Sequence, residues 1–285
     1  MHCAQTTSPR TVERMTQRWT ASRLVAWAGM LGLLAPACGI CRAEQPSRAA
    51  VAGFSEYVGA LEARLASQHG ENAGHVVVSG PAGQTETRLR RGELVIENLT
   101  PSKTDLPGAM LHHWRSTAFL EGATAADFER LMRDFAAYPR IYAPQVVSAK
   151  VLSQIGDRYQ ATMRVKQKHV ITVVLDTTYD IEFGRFNARR CWSTSRSTHV
   201  DEIDDAGTKN ERVLNAADQH GFLWRLNTYW TVEERAGGLY MQIESVSLTR
   251  AIPAGLGWAI GPFVESVPQE SLEFTLRATR DALRR

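Results

Sequence analysis

Cysteine is scarce in this sequence and is concentrated at one end. Of the four cysteines in 285 residues, Cys3, Cys38 and Cys41 fall within the first 41 positions, and only Cys191 lies beyond them. Cys38 and Cys41 match the C-x-x-C redox spacing, but they do not precede a helix of a βαβ unit. Because the first three belong to a segment with the pattern of a cleaved leader, we expect neither a redox centre nor an internal disulfide. The fold must then depend on its hydrophobic core.

The sequence also lacks the short motifs of common catalytic sites. It contains no G-x-S-x-G, no H-E-x-x-H and no P-loop. The glycines between Gly255 and Gly261 miss the spacing of a dinucleotide-binding loop. The adjacent His112 and His113 lie on a predicted strand, where neighbours point to opposite faces, so they are poorly placed to share one metal ion. We therefore predict no cofactor and no metal.

The first 43 residues have the pattern of a secretory signal peptide. Four arginines between residues 10 and 23 precede the apolar run 24–38, and small residues lead to a cleavage site after Ala43. The apolar run, at about 15 residues, is shorter than the roughly 20 that a spanning helix needs. The pattern predicts an exported protein, periplasmic or secreted. Lipidation at Cys38 is the less favoured alternative.

The excess of positive charge belongs to this leader. Residues 1–43 hold five basic residues and one acid, so the formal net charge of +3 for the whole chain becomes about −1 for residues 44–285. No basic block remains in the rest of the sequence. We therefore expect no nucleic-acid partner.

Residues 44–108 are predicted to form an N-terminal helix and linker extension. Apolar residues at helical spacing predict a helix over 51–66. A glycine-rich, polar stretch at 67–85 is expected to be loosely structured, with a short strand at 75–78. The segment 93–99 is predicted to be a strand, and residues 101–108 are predicted to be a turn or linker.

A strand, a capped helix and a sharp stop open the second part of the chain. Alternation and aromatic residues predict a strand over 111–123. Thr124 followed by Asp127 resembles a capping box, and the apolar residues of 128–135 share one helical face. Pro139 prevents this helix from continuing.

The middle of the chain is predicted to be a succession of antiparallel strands. Period-two alternation or continuous apolar character identifies strands at 159–166, 170–176, 179–183 and 191–200, and an acidic turn is predicted at 201–207.

The last two strands are predicted to form a hairpin. Residues 221–234 and 239–250 are joined by the glycines at 237–238, which as a two-residue turn place Val232 opposite Ile243. Polar and apolar residues then sort cleanly onto two faces. The apolar face carries Phe222, Trp224, Leu226, Trp230, Val232, Met241 and Ile243.

A glycine-rich loop and a final helix end the sequence. The loop is predicted over 253–263, and the helix begins at about Pro268 with an apolar stripe along one face. Trp258 and Phe263 in the loop are expected to form an exposed apolar lip, where a ligand enters or a membrane is touched transiently. Packing of these rings against the helix end is the alternative.

The order of these elements resembles the START-like (SRPBCC) superfamily, which includes polyketide cyclase/dehydrase-like and birch-pollen-allergen-like proteins. The resemblance rests on the strand, the capped helix, the run Phe135-x-x-Tyr138-Pro139 and the strand after it, and it covers about 110–285. It is strongest to uncharacterised exported bacterial members, and we assign the START-like domain to 109–285. The resemblance implies an α+β helix-grip fold, in which a curved antiparallel sheet surrounds a long C-terminal helix. The cavity between them commonly holds a lipid, a sterol, a quinone or a polyketide.

Small hydroxyl side chains among large apolar ones favour a pocket on the apolar face of the hairpin. A close-packed core prefers large apolar residues, so Thr228, Ser245 and Ser247 indicate room for a guest, although they can instead bond to the helix. If Arg196 faces inward, it requires an anionic partner; solvent exposure is the alternative. The predicted ligand-binding residues are Trp224, Thr228, Trp230, Met241, Ile243, Ser245, Ser247, Arg196, Met163 and Trp258.

Three functions are compatible with these features. The favoured one is an exported carrier that holds an apolar small molecule in this cavity. A cyclase or hydrolase that uses the same cavity is the second, with His112 or His113 as the base and Glu244 as the carboxylate. Glu244 is predicted to lie on the polar face of the hairpin, which counts against catalysis. A structural or partner-binding exported domain is the third.

Overall fold

The computed structural model describes most of the chain from residue 45 onward. The described residues are 45–69, 76, 82–104, 106–168, 172–252 and 257–284, with the side chains of 82 and 257–265 left out. The predicted signal peptide and most of the strand predicted at 75–78 lie outside them. Among the described residues, no helix is both long enough and apolar enough to cross a membrane.

Five α-helices are described along the chain. They are α1 (Arg48–Gln68), α2 (Ala82–Arg90), α3 (Ala125–Arg133), α4 (Tyr138–Ile141) and α5 (Gly257–Leu283), with a 3-10 turn at Phe135–Ala137 between α3 and α4.

Nine described strands form one antiparallel sheet. They are β1 (Val95–Asn98), β2 (Ala109–Glu121), β3 (Val146–Ile155), β4 (Arg158–Lys168), β5 (Thr172–Asn187), β6 (Arg190–Asp204), β7 (Arg212–Val213), β8 (Arg225–Arg235) and β9 (Gly238–Arg250). Their order is β1-β2-β9-β8-β6-β5-β4-β3, and the short β7 pairs with β6. The predicted α+β helix-grip class, a curved antiparallel sheet with a long C-terminal helix and an N-terminal helical extension, is confirmed.

The helix α3 begins at the predicted capping box. The Thr124 hydroxyl accepts a hydrogen bond from the backbone N–H of Asp127, and the Asp127 carboxylate accepts one from the backbone N–H of Thr124. These two bonds satisfy donors that a helix start leaves unpaired. The helix then buries Phe128 and Met132 against the sheet.

Both faces of the sheet are covered. The inner face packs against α3, α4 and α5, and its buried cluster includes Phe128, Trp230, Met241, Leu272 and Leu276. The outer face packs against α1, whose Phe54, Val58, Leu61 and Leu65 meet side chains of β2, β8 and β9. Because both faces are buried, each central strand packs one set of alternate side chains against α3, α4 and α5 and the other set against α1.

The predicted register of the last hairpin is wrong by two residues. Val232 lies opposite Met241, not Ile243, and the turn consists of Ala236 and Gly237, which both have positive φ. Gly238 begins β9 instead, and the position favours glycine because a Cβ there would lie 2.5 Å from the carbonyl oxygen of Leu120 on β2. Since side chains alternate with period two, this shift leaves each side chain of the paired strands on its predicted face.

Three segment boundaries also differ from the prediction. The last helix begins at Gly257, so much of the loop predicted at 253–263 is helical. Residues 82–90 form α2, although 82–85 belong to the stretch that polar composition predicts to be loosely structured. Leu89 of this helix is buried against β1 and β2. The strand β6 continues to Asp204, where the sequence predicts an acidic turn from residue 201.

We expect Leu276→Ala to destabilise the protein by about 2–5 kcal/mol, because it removes a fully buried side chain between α5 and the sheet. Urea unfolding of both forms measures the change. The control is the neighbouring Arg277→Ala, at an exposed position, which should alter stability by less than about 0.5 kcal/mol. Equal effects of the two substitutions would show that α5 does not pack on the sheet through this face.

Candidate functional site

A row of mostly small hydroxyl side chains crosses four neighbouring strands on the inner face. Trp114 on β2 lies opposite Ser245 on β9, Ser245 lies opposite Thr228 on β8, and Thr228 lies opposite Ser195 on β6. Residues directly opposite one another in an antiparallel sheet point to the same side. All four are only partly buried. We call these four residues the hydroxyl row.

The next row toward α3 is closed. Ser116, Ile243, Trp230 and Ser193 lie opposite one another in the same way, and each is at least 96% buried. The ring of Trp230 meets that of Phe128 from α3 edge to face, with centroids 5.2 Å apart. The inner face is therefore filled at its α3 end and accessible at the hydroxyl row.

One hydroxyl of this closed row has no partner. Ser116 is fully buried, and among the described residues nothing accepts or donates a hydrogen bond at its Oγ. An unsatisfied buried hydroxyl costs about 1–3 kcal/mol. A guest molecule or a water that reaches this depth would remove that cost.

The thiol of Cys191 lies further into the closed end. It is buried against α3, and burial followed by the nearby Glu129 charge raises its pKa to about 12. The thiol therefore stays protonated at neutral pH and is a packing group rather than a nucleophile.

Further predicted residues lie on the inner face, on the side of the hydroxyl row away from α3. Ser247 lies opposite both Leu226 and His112, one row beyond the hydroxyl row. His112 is buried, and its Nε2 lies 3.2 Å from the Thr249 hydroxyl. Met163 on β4 is partly buried against the same core.

The structure brings most of the predicted ligand-binding residues together on one face, as two groups. The first group lies at or beyond the hydroxyl row: Thr228, Ser245 and Met163 are partly buried, and Ser247 is buried. The second group fills the closed end and contributes to the core: Trp230, Ile243 and Met241.

Two predicted residues lie elsewhere. Trp224 precedes β8 and packs into the outer cluster with α1, because strand alternation does not extend back to it. Arg196 points to the outer face, since its neighbour Ser195 points inward; its Nε donates to Glu62 of α1 at 2.7 Å. The anionic partner expected for Arg196 is therefore protein, not ligand. The side chain of Trp258 lies outside the described residues.

Sequence reasoning missed three members of the site, Trp114, Ser116 and Ser195. Alternation along β2 and β6 indicates that each shares a face with its neighbours two residues away. Alternation does not indicate which strands lie next to β8 and β9. The hydroxyl row can therefore be identified only when the order of the strands in the sheet is known. Phe222, predicted on the apolar face, is instead exposed and stacks on His220.

A buried polar layer lies on the opposite face, under α1. Nε2 of His113 lies within hydrogen-bonding distance of Glu244, at 3.0 Å, and its Nδ1 lies 2.7 Å from the Tyr57 hydroxyl. Arg64 of α1 donates to the same carboxylate, which is 1% exposed. Arg115 pairs with Glu97 through two bonds of 2.7 and 2.9 Å, and lies 3.9 Å from Glu244.

This layer determines the charge state of Glu244. Burial alone would raise the pKa of the carboxyl group, but the hydrogen bond from His113 and the charge of Arg64 outweigh it, so the pKa lies below the ordinary value of 4.5. Burial, followed by the Glu244 charge, raises the pKa of Tyr57. Glu244 is on the face predicted for it, away from the hydroxyl row, but α1 shields it from solvent. The candidate catalytic pair, His113 and Glu244, therefore faces away from the hydroxyl row.

Glu244→Gln should destabilise the protein by about 3 kcal/mol at pH 7, since it removes one partner of a buried ion pair. Glu244 has a lowered pKa, so its stabilising contribution is present above about pH 4.5 and is lost as the pH falls through its folded-state pKa. The difference from the wild type should shrink below pH 4.5. Urea unfolding at pH 7 and at lower pH measures it, with the exposed pair's Glu273→Gln as control. A difference that is constant with pH would contradict an ionised Glu244.

Comparison with known proteins finds similarity at the level of structure alone. No family model matches the sequence, and no curated protein matches it. A STAR-related lipid transfer protein from Xanthomonas axonopodis is 19% identical, with a TM-score of 0.41, over 64% of this chain and 97% of that one. The Zhui aromatase/cyclase from a Streptomyces species is 12% identical, with a TM-score of 0.42, over 62% and 95%.

A START superfamily protein from Mycobacterium smegmatis is 14% identical, with a TM-score of 0.38, over 60% of this chain and 97% of that one. These likenesses are distant, so the assignment of the fold rests on the chain's own strand order and on the placement of its last helix. On those grounds the predicted START-like helix-grip fold is confirmed.

Proposed function

We propose that this protein binds an apolar small molecule on the inner face of its sheet, at the hydroxyl row. The observation that carries the proposal is the contrast between adjacent rows. The row of Trp230 is closed by α3, whereas the row of Trp114 and Thr228 is only partly buried and consists mainly of small side chains. A protein interior is ordinarily close-packed, so small half-buried residues beside a large ring favour a binding surface.

The energetics favour an apolar ligand with few polar atoms. Each buried methylene contributes about 0.8 kcal/mol, so a ten-carbon chain supplies roughly 8 kcal/mol before entropic costs. The hydroxyls of Ser245, Thr228 and Ser195 can each donate or accept one directional bond, which orients a ligand oxygen. The Trp114 ring offers a flat apolar surface. A lipid, a quinone or a polyketide-like molecule has this chemistry.

Binding is favoured over catalysis by the position of the ionisable groups. A general acid–base mechanism needs its proton-transfer groups within hydrogen-bonding reach of the substrate. His113 and Glu244 are within 3.0 Å of each other, but they lie on the outer face, beneath α1. A ligand at the hydroxyl row is separated from this pair by the thickness of the sheet. His112, the other candidate base, lies on the inner face, so the sheet separates it from Glu244, the carboxylate expected to act with it.

Thr228→Trp should reduce the affinity for an apolar probe by at least about tenfold, because the indole fills the hydroxyl row. Nile red fluorescence of protein purified without detergent measures binding, and native mass spectrometry of the same sample identifies any lipid or quinone that co-purifies. Circular dichroism confirms that each variant is folded.

The matched control is Thr194→Trp. Thr194 is also a partly buried threonine of a central strand, but it alternates with Ser195 and therefore points to the outer face. The Thr194→Trp variant should bind Nile red with an affinity within about twofold of that of the wild type. Undiminished binding by the Thr228 variant, or a wild type that neither binds the probe nor co-purifies with an apolar molecule, would reject the proposed site.

We also propose that the protein is exported. The support is the order of basic segment, short apolar run and small residues before Ala43. Expression of the whole chain in a bacterial host should yield a periplasmic form whose N-terminal sequence begins at Glu44. An intact N-terminus in the cytoplasm would contradict export, and loss of a lipidated form on Cys38→Ser would identify the lipoprotein alternative.

A further inference from the structure

A cleft outside the inner face is lined by both apolar and charged residues. It has a volume of about 800 Å³ and runs between the segment from α3 to α4 and the C-terminal part of α5. Its volume is within the range of small-molecule sites, about 300–1,000 Å³. None of the residues predicted to bind the apolar ligand lines this cleft.

The floor of the cleft is apolar. Leu131 and Ile141 form one side, and Phe274 and Ala278 of α5 form the other; all four are partly buried and pack against the inner core. The small Ala278, with Ala282 one turn further on, leaves the space between the two walls. A short hydrocarbon chain on this floor would be removed from water on both sides.

Six charged residues line the cleft, and four of them already have partners. Arg130 pairs with Asp127, Arg277 pairs with Glu273, and Asp281 lies 3.6 Å from both Arg280 and Arg284. Asp134 and Arg140 differ from these. Within the part of the chain that the structure describes, neither forms an ion pair, and the Asp134 carboxylate accepts only the backbone N–H of Ala137 at 3.2 Å.

We propose that this cleft is a second ligand site, for a single-chain amphiphile whose head carries both an anion and a cation. The anionic group binds the guanidinium of Arg140, the cationic group binds the carboxylate of Asp134, and the chain lies along Leu131, Ile141 and Phe274. A purely anionic ligand would leave Asp134 unpaired and would be repelled by its carboxylate. A purely cationic ligand would likewise leave Arg140 unpaired and would be repelled by its guanidinium group. One charge of each sign is therefore the best match.

The test compares three ligands with the same eight-carbon chain. Octylphosphocholine carries both charges, octyl phosphate carries only the anion, and octyltrimethylammonium carries only the cation. Isothermal titration calorimetry with monomeric ligand should show that the wild type binds octylphosphocholine about fivefold more tightly than either of the others, as expected for partly exposed charge pairs.

Each charge is then removed separately. Arg140→Gln should abolish the preference for octylphosphocholine over octyltrimethylammonium, and Asp134→Asn should abolish its preference over octyl phosphate. Asparagine still accepts the Ala137 N–H, so the local backbone is retained. The control Arg130→Gln removes a cleft arginine that already has a partner, and both preferences should persist in it.

Two further variants locate the chain. Ala278→Phe fills the floor and should eliminate octylphosphocholine binding, whereas Thr228→Trp on the inner face should leave it unchanged. Loss of binding in the Thr228 variant alone would place the ligand at the inner site and overturn this proposal without affecting the first. Equal affinities for all three ligands, in the wild type as in the Arg140 and Asp134 variants, would also overturn it.

The same head chemistry occurs on a free amphiphile and on a membrane surface. Co-sedimentation with phosphatidylcholine vesicles that depends on both Arg140 and Asp134 would assign the membrane source. Binding of monomeric octylphosphocholine without vesicle binding would assign a free single-chain molecule.

Discussion

Packing of the last helix against the inner face of the sheet is the interaction on which the rest of the structure depends. Leu272 and Leu276 of α5 are buried among side chains from β2, β8 and β9, and Phe128 of α3 meets Trp230 in the same cluster. Without this layer the inner face would expose a continuous apolar surface of the kind that drives association. On the same face the closed row is followed by the partly buried hydroxyl row, and this change creates the candidate ligand site.

The outer face of the sheet differs from the inner face because it buries charged side chains. The helix α1 contributes apolar residues, yet it also covers Glu244, His113 and Arg115, which are each more than 90% buried. Buried charges are costly unless they are paired, and here the carboxylate receives bonds from His113 and from Arg64 of α1. Arg196 and Tyr229 make a similar link to Glu62 of α1. This network specifies how α1 lies on the sheet, because a shifted helix would leave these charges unpaired.

Helix α5 contributes both to the inner core and to the cleft of the second proposed site. Leu272 and Leu276 face the sheet, while Phe274 and Ala278 face the outer cleft. The helix is held at its C-terminal part by the Tyr142–Thr279 hydrogen bond at 3.0 Å, and by Arg280, which donates to the carbonyl of Gly92. These bonds fix the position of the helix between the inner core and the cleft.

The sequence by itself determined most of the elements and, within the paired residues of β8 and β9, the side of each strand that faces the core. The Thr124 cap, the break at Pro139 and the alternation along β8 and β9 depend on neighbours a few residues away, which is why they were predictable. Only the tertiary structure decided the pairing of Trp114 and Ser195 with the hairpin, the burial of Glu244 under α1, and the contact of Arg196 with Glu62. These depend on groups that lie tens to more than a hundred residues apart, and local periodicity carries no information about which distant groups meet.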